Sequence, residues 1–149
     1  MHPPETNPHL EFFRSMIGQP MRHSISPMGR WLDGVVRAAE PGTLTVEYTV
    51  REELCNPMQV LHGGAASAML DDLMGMAVFA LGREYAYTSV NLNVDFLNPA
   101  RLGECLTATA HIVRAGRNIV HAEGVLTGAD GKIVAKAASN LIQTGIKIH

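Results

Sequence analysis

Three polar residues interrupt a stretch that is otherwise almost entirely apolar from Gly64 to Leu81: Ser67, Asp71 and Asp72. A helix that is apolar on all sides must be buried, because it has no polar face to offer to water. A buried carboxylate needs a hydrogen-bond partner or a proton, and both conditions favour acid/base or nucleophilic chemistry. Ser67 and Asp71 are four residues apart and share one helix face, whereas Asp72 points about 100° further round.

The residues before this helix add hydrogen-bonding groups. Asn56 and the proline that follows it favour a loop, and Gly63 and the next glycine favour a helix start. Free amides at a helix N-terminus suit a carbonyl oxygen that gains negative charge. Asp71 follows His62 by nine residues, which is roughly 13 Å along a helix. The amide at the helix start and Asp71 can therefore act on the same substrate only if the substrate is elongated or if a second copy of the chain supplies Asp71.

Composition narrows the class of protein. We expect 149 residues to form one domain over 1–149, with 1–30 as an N-terminal extension that carries a short amphipathic helix at His9–Gln19. A net charge of −2 argues against nucleic acid as a partner. Two aspartates within the apolar helix argue against a membrane span, because each costs about 2.5 to 3.5 kcal/mol to insert.

The cysteines and the N-terminus favour a cytoplasmic location. Cys55 and Cys105 are isolated and lack C-x-x-C spacing. This pattern is typical of reduced thiols in the cytosol. The first residues have no basic stretch before an apolar core, so we expect no secretory signal.

Alternation of apolar and polar residues predicts six strands. They are Trp31–Glu40, Thr43–Arg51, Ala86–Leu97, Glu104–Arg114, Asn118–Thr127 and Ile133–Thr144. Short turns such as Asp130-Gly131 join the last four strands, which requires antiparallel pairing. One apolar helix packed against one curved sheet would bury both elements.

Together these features resemble the PaaI-type acyl-CoA thioesterases of the hotdog fold, in which a sheet wraps around a central helix. The resemblance covers residues 31–144 and rests on Asn56 and on His62-Gly63-Gly64 with Asp71 nine residues after the histidine. It also includes the segments 98–103, 114–117 and 130–135. We therefore expect an α+β hotdog fold: an antiparallel sheet of about six strands wrapped around a long central helix, with a short N-terminal helix.

The resemblance implies an enzyme that hydrolyses a small to medium acyl- or aryl-CoA to the free acid and coenzyme A. It implies that Asp71 is the nucleophile or general base and that the Gly63 amide polarises the thioester carbonyl. Asn56 and His62 would organise the loop, and Ser89 would position water or Asp71. In such proteins two subunits pair so that Asp71 of one faces Gly63 of the other. A homodimer is therefore expected, and pairing into a homotetramer is common in the family.

Other polar residues have simpler interpretations. Asp72 is expected to be solvated or salt-bridged, because two buried like charges side by side repel. Ser67 is expected to bond back to the carbonyl of Gly63. Four basic residues in turns are either surface charges or ligands for coenzyme A phosphates. These are Arg101, Arg114, Arg117 and Lys132. We expect no metal and no cofactor beyond the coenzyme A of the substrate.

Two other functions fit parts of the sequence. One is a non-catalytic acyl-CoA-binding or sensing protein of the same fold, although about thirty N-terminal residues are too few for a typical DNA-binding module. The other is a hydrolase that uses Cys55 with a histidine. The sequence does not determine the acyl group.

Overall fold

The structure, a computed structural model, describes residues 6–148, so the outermost ends of the predicted domain lie outside it. The N-terminal extension contains helix α1 (Pro8–Ser15) and helix α2 (Pro27–Leu32), with a 3₁₀ turn at Met21–His23 between them. The predicted N-terminal helix is confirmed and ends at Ser15. Leu10 and Phe13 are its buried residues, so this helix packs onto the rest of the molecule by one face.

Six antiparallel strands form one sheet. They are β1 (Val35–Glu40), β2 (Thr43–Thr49), β3 (Tyr85–Phe96), β4 (Cys105–Ala115), β5 (Ile119–Thr127) and β6 (Ile133–Lys147). Their order across the sheet is β1-β2-β4-β5-β6-β3, and every neighbouring pair is antiparallel. This confirms the predicted α+β architecture and places β1 and β3 at the two edges.

The predicted first strand is wrong at its start. Trp31 belongs to α2, and the strand begins at Val35. The side chain of Ser26 caps α2 by accepting a hydrogen bond from an amide of its first turn, and a proline follows as its first residue, which together begin a helix. Gly34 then lets the chain run close to β2, because a Cβ at this position would lie 2.5 Å from Val46.

The long helix α3 (Gly63–Phe79) packs against the inner face of the sheet, which confirms the predicted central helix. Leu70 and Leu73 are fully buried on it, and each contributes roughly 1.5 to 3 kcal/mol of hydrophobic stabilisation. Small residues on the facing strands allow the close approach: a Cβ at Gly124 of β5 would lie 3.2 Å from Leu70. The core therefore fixes where each residue of α3 points.

None of the helices within residues 6–148 is long and apolar enough to cross a membrane.

Candidate active site

The start of α3 presents a free backbone donor. His62 is the N-cap, and its Nδ1 accepts a hydrogen bond from the Gly64 amide at 2.8 Å. The first intrahelical bond runs from the Ala66 amide to the carbonyl of His62 at 3.0 Å. The Gly63 amide has no hydrogen-bond acceptor within residues 6–148. It lies at the positive end of the helix dipole, where a polarised carbonyl oxygen would be stabilised.

Asn56 organises the loop before α3. Its Oδ1 accepts hydrogen bonds from the amides of Met58 at 2.9 Å and Val60 at 3.4 Å. The backbone amide of Asn56 also donates to the carbonyl of Val60 at 2.8 Å. The side-chain nitrogen of Asn56 forms no hydrogen bond within the described part of the chain. It is therefore available as a further donor near the helix start.

Gly63 lines a cleft of about 290 Å³ together with residues of the β3 C-terminus and of the following loop. A Cβ at Gly63 would lie 3.2 Å from the Phe96 ring, so this position leaves little room for a side chain. A second cleft of about 510 Å³ contains Arg101 and Lys132 and shares Asn98, Pro99 and Val134 with the first. The helix start therefore opens toward two of the predicted basic residues.

Asp71 lies in a different cleft. Its Oδ1 accepts a hydrogen bond from the Ser89 Oγ of β3 at 3.1 Å. The cleft has a volume of about 310 Å³ and is lined mainly by apolar and aromatic side chains. Phe12 and Phe13 of α1 form part of its wall, so the N-terminal extension covers this side of the site. The carboxylate thus faces an apolar space with one hydroxyl partner.

Within one chain, the Gly63 and Asp71 clefts share no lining residue. The strand β3 borders both, because Ser89 contacts Asp71 while Phe96 lies against Gly63. This strand therefore runs along α3 in the opposite direction. One subunit presents the two predicted catalytic groups at separate places, as the helix rise requires.

Asp72 contradicts the prediction that it is solvated or salt-bridged. Its Oδ1 accepts a hydrogen bond from the Ser26 Oγ at 2.9 Å, and its Oδ2 is buried with no partner among the described residues. Burial raises the pKa of Asp72, the Ser26 hydrogen bond acts in the opposite direction, and the charge of Asp71 raises it further. The repulsion between the two carboxylates is therefore present, but it is a smaller cause than burial.

Tyr48 is a polar neighbour of Asp72 that sequence reasoning missed. It lies on β2 and is 1% exposed, and its hydroxyl has no hydrogen-bond partner among the described residues. Burial and then the negative charge of Asp72 raise the pKa of Tyr48, so the phenol stays neutral. Strand alternation identified this residue only as one facing the core. The sequence signal for a nearby polar group is the Tyr48 hydroxyl, because the hydroxyl of a buried tyrosine usually has a hydrogen-bond partner.

The four predicted basic residues do not come together in one chain. Arg101 and Lys132 line one cleft near the start of β4, whereas Arg114 and Arg117 lie at the turn between β4 and β5. The two pairs therefore occupy opposite ends of the same hairpin. The four residues therefore form no single cluster within one chain, because a strand of this length keeps its two ends far apart.

Two smaller expectations concern Ser67 and Cys55. The Ser67 Oγ donates to the carbonyl of Gly63 at 2.8 Å, which confirms the predicted helix back-bond. The Cys55 Sγ lies 3.5 Å from the carbonyl oxygen of Arg51, and no hydrogen bond joins it to a histidine within residues 6–148. In the same residues, no group of three His, Cys, Asp or Glu side chains could hold a metal ion.

Comparison with known proteins matches residues 58–135 to the thioesterase superfamily. Acyl-coenzyme A thioesterase 13 of Homo sapiens is 34% identical over 100 residues, which cover 66% of this chain and 71% of that protein. A phenylacetic acid degradation-related protein of Ralstonia eutropha JMP134 superposes with a TM-score of 0.73 at 34% identity, over 82% of this chain and 96% of that one. The E. coli PaaI protein shares the fold, with a TM-score of 0.82 at 20% identity over 97% and 100% of the two chains.

The fold and the matched residues define a hotdog thioesterase. The chain belongs to the thioesterase superfamily. These matches confirm the predicted PaaI-type family and the predicted class of enzyme, a thioester hydrolase. The roles of the individual site residues stay predictions.

Proposed function

We propose that this protein hydrolyses acyl-CoA thioesters and that Asp71 and Gly63 supply the catalytic groups. The observation that carries the proposal is the Asp71 carboxylate, which is held by Ser89 at 3.1 Å and faces an apolar cleft. A carboxylate beside an apolar cleft can act on the reacting bond of a substrate while the cleft holds an apolar acyl tail.

The chemistry follows from these two groups. The Gly63 amide donates to the thioester carbonyl oxygen, which makes the carbon electrophilic. In one route a water molecule gives its proton to Asp71 and forms the new C–O bond. In the other route the Asp71 carboxylate forms this bond itself, which yields an anhydride that water then cleaves. In both routes negative charge gathers on the carbonyl oxygen. Collapse of the tetrahedral intermediate breaks the C–S bond and releases the coenzyme A thiolate.

The supporting residues have distinct tasks in this scheme. Ser89 orients Asp71 through its hydroxyl. His62 holds the Gly64 amide and so keeps the first turn of α3 in place beside Gly63. Asn56 fixes the preceding loop with its oxygen and leaves its side-chain nitrogen for the substrate.

The site is shared between two subunits in this proposal. Strand β3 is an edge of the sheet, and its Val90 is 58% exposed, as on a strand that pairs with another. Antiparallel pairing of two β3 strands about a two-fold axis near the middle of the strand brings Ser89 of one chain toward Phe96 of the partner subunit. Asp71 then lies on the same side as Gly63 of the partner subunit. A dimer is thus the smallest active unit, and a homotetramer of two such dimers fits the family.

Coenzyme A is assigned to the cleft that contains Arg101 and Lys132. This cleft joins the Gly63 cleft, so a thioester at Gly63 can continue into it. The side chains of both residues form no ion pair within the described part of the chain, so they are free for phosphate oxygens. Arg114 and Arg117 do not line this cleft, and they remain candidate phosphate ligands.

We also infer a cytoplasmic, single-domain protein that does not bind nucleic acid. Cys55 and Cys105 are both free thiols, which suits a reducing compartment. The negative net charge of −2 lacks the basic excess that nucleic acids attract.

The test is release of free thiol from a panel of acyl-CoAs with saturated and aryl acyl groups. We expect turnover by the wild-type protein and full activity in Cys55→Ser. A protein that binds acyl-CoA without releasing thiol from any of them would instead be a sensor. Loss of turnover in Cys55→Ser, with the fold kept, would favour cysteine chemistry.

A further inference from the structure

Gly75 leaves an empty space beside Asp71. It follows Asp71 by four residues in α3, so the two lie on one face, separated by about 6 Å along the helix axis. A Cβ at Gly75 would meet no atom within 4 Å. Glycine inside a helix is less stable than alanine. The chain therefore keeps this space open although a methyl group would fit and would favour the helix.

Gly75 lies on the border between two cavities. One is the Asp71 cleft of about 310 Å³, and the other has a volume of about 350 Å³ and lies between the end of α3 and the start of β3. Their linings share Ile25, Gly75, Phe79 and Tyr87. A group that extends from Asp71 along the helix toward the second cavity therefore lies over Gly75.

The second cavity is suited to a hydrocarbon chain that ends there. Val78, Phe79 and Ile148 give it apolar walls. Arg83 also lines it, but its Nη1 donates to the Tyr87 hydroxyl at 2.9 Å and to the Gly116 carbonyl at 3.0 Å. The guanidinium is therefore held by the protein and forms part of the wall.

We propose that Gly75 determines acyl specificity by opening this passage, so that the enzyme takes medium-chain acyl groups; this rests on the proposed hydrolysis at Asp71. The distance from Asp71 to Phe79 is about 12 Å along α3. An extended chain of roughly ten carbons covers it, at about 1.3 Å per bond along the chain axis. Gly75 lies halfway, so chains longer than about five carbons need the passage.

The experiment compares Gly75→Leu with the wild-type protein on butyryl-, hexanoyl-, octanoyl- and decanoyl-CoA. Gly145→Leu is the matched control, since Gly145 also has no atom within 4 Å of an added Cβ and lies outside both cavities. We expect kcat/KM of Gly75→Leu to fall at least about tenfold for decanoyl-CoA and less than about threefold for butyryl-CoA. Gly145→Leu should keep the wild-type profile.

Binding of S-alkyl-CoA thioethers, which contain no thioester, separates this inference from the proposed function. In calorimetric titrations the wild-type protein should bind the decyl thioether at least about tenfold more tightly than the butyl thioether, and Gly75→Leu should lose that gain. If the thioethers bind in this way but no acyl-CoA is hydrolysed, the proposed hydrolysis is wrong and the inferred role of Gly75 in the passage is supported. An unchanged chain-length profile in Gly75→Leu, in both turnover and binding, would overturn the passage alone.

Discussion

Asp71 and Asp72 are neighbours in the sequence and line the same cleft, but the helix directs them to different hydrogen-bond partners. Asp71 faces a cleft and has Ser89 of β3 as its partner. Asp72 faces the N-terminal extension, where Ser26 caps α2 and donates to its carboxylate. A rotation of about 100° per residue accounts for the difference. The comparison teaches that the burial and the partner of an acid, and not its residue type, separate a candidate catalyst from an acid that fastens two segments together.

The strongest test of the comparison is removal of the Asp71 charge. Asp71→Asn should keep the fold and lose about two or more orders of magnitude in turnover, because the general base or nucleophile is gone. Thiol release from acyl-CoA measures the loss, and thermal unfolding checks the fold. If Asp72→Asn is instead the inactive variant, the assignment of the chemistry to Asp71 is wrong.

A second test asks whether Asp71 works with another chain. Gly63→Pro lacks the amide donor, and proline is tolerated at the first helical position if the Phe96 ring, 3.2 Å from the added Cβ, shifts by a few tenths of an ångström. Mixed with Asp71→Asn under conditions that exchange subunits, it should restore activity, because one of the two sites in each mixed dimer then has both groups. Mass spectrometry counts the mixed dimers. Mixed dimers that form and stay inactive, while both parent variants are folded, would refute a shared site.

A third test concerns the Asp72 side of the comparison. Ser26→Ala removes the N-cap of α2 and the hydrogen bond to Asp72, so the free energy of unfolding should fall by about 1 kcal/mol. Ser15→Ala is the control, because Ser15 is exposed and bonds only to the carbonyl of Phe12. Urea unfolding measures both variants. Equal stability of the two would mean that the Ser26 contact does not fasten the extension.

The smallest effect is expected from Asp72→Asn, which should lose less than about tenfold in kcat/KM, or 1.4 kcal/mol. The titration of Asp72 should also make the free energy of unfolding depend on pH. Burial raises the pKa of Asp72 above its ordinary value of 3.8, so the folded state holds the proton more tightly than the unfolded state. As pH rises from 3.8 through the pKa that Asp72 has in the folded protein, the free energy of unfolding falls.

Asp72→Asn cannot titrate, so its free energy of unfolding should fall less over the same pH range than that of the wild-type protein. Urea unfolding at several pH values between about 4 and 7 makes the comparison. The same fall in both proteins would show that other groups cause it.

Local patterns were sufficient for most of the fold and for the candidate catalytic groups. The apolar run predicted α3, alternation predicted the strands after it, and the glycines after His62 predicted the free amide at the helix start. The contact between Asp71 and Ser89 followed from the resemblance alone. These features depend on neighbouring residues or on a motif with fixed spacing.

Most of the features that were missed depend on contacts between distant parts of the chain. The partner of Asp72 is Ser26, 46 residues earlier, so the sequence around the aspartate did not indicate its burial. The helix start at Ser26 and Pro27, which places Trp31 in α2, is a local signal that the strand prediction does not use. Nothing in the sequence marked Gly75 as more than a small residue in a helix, since its role depends on the cavities on either side.

The N-terminal extension supplies part of the wall of the Asp71 cleft. The family match covers residues 58–135, which contain Gly63, Asp71 and Ser89. Phe12, Phe13 and Ile25, which line the same cleft, lie before that region. On the proposed function, the chemistry and part of the acyl-binding surface are therefore encoded in different stretches. Changes in the N-terminal extension can alter which acyl groups fit while the bond-breaking residues stay the same, so substrate range can evolve independently of the reaction.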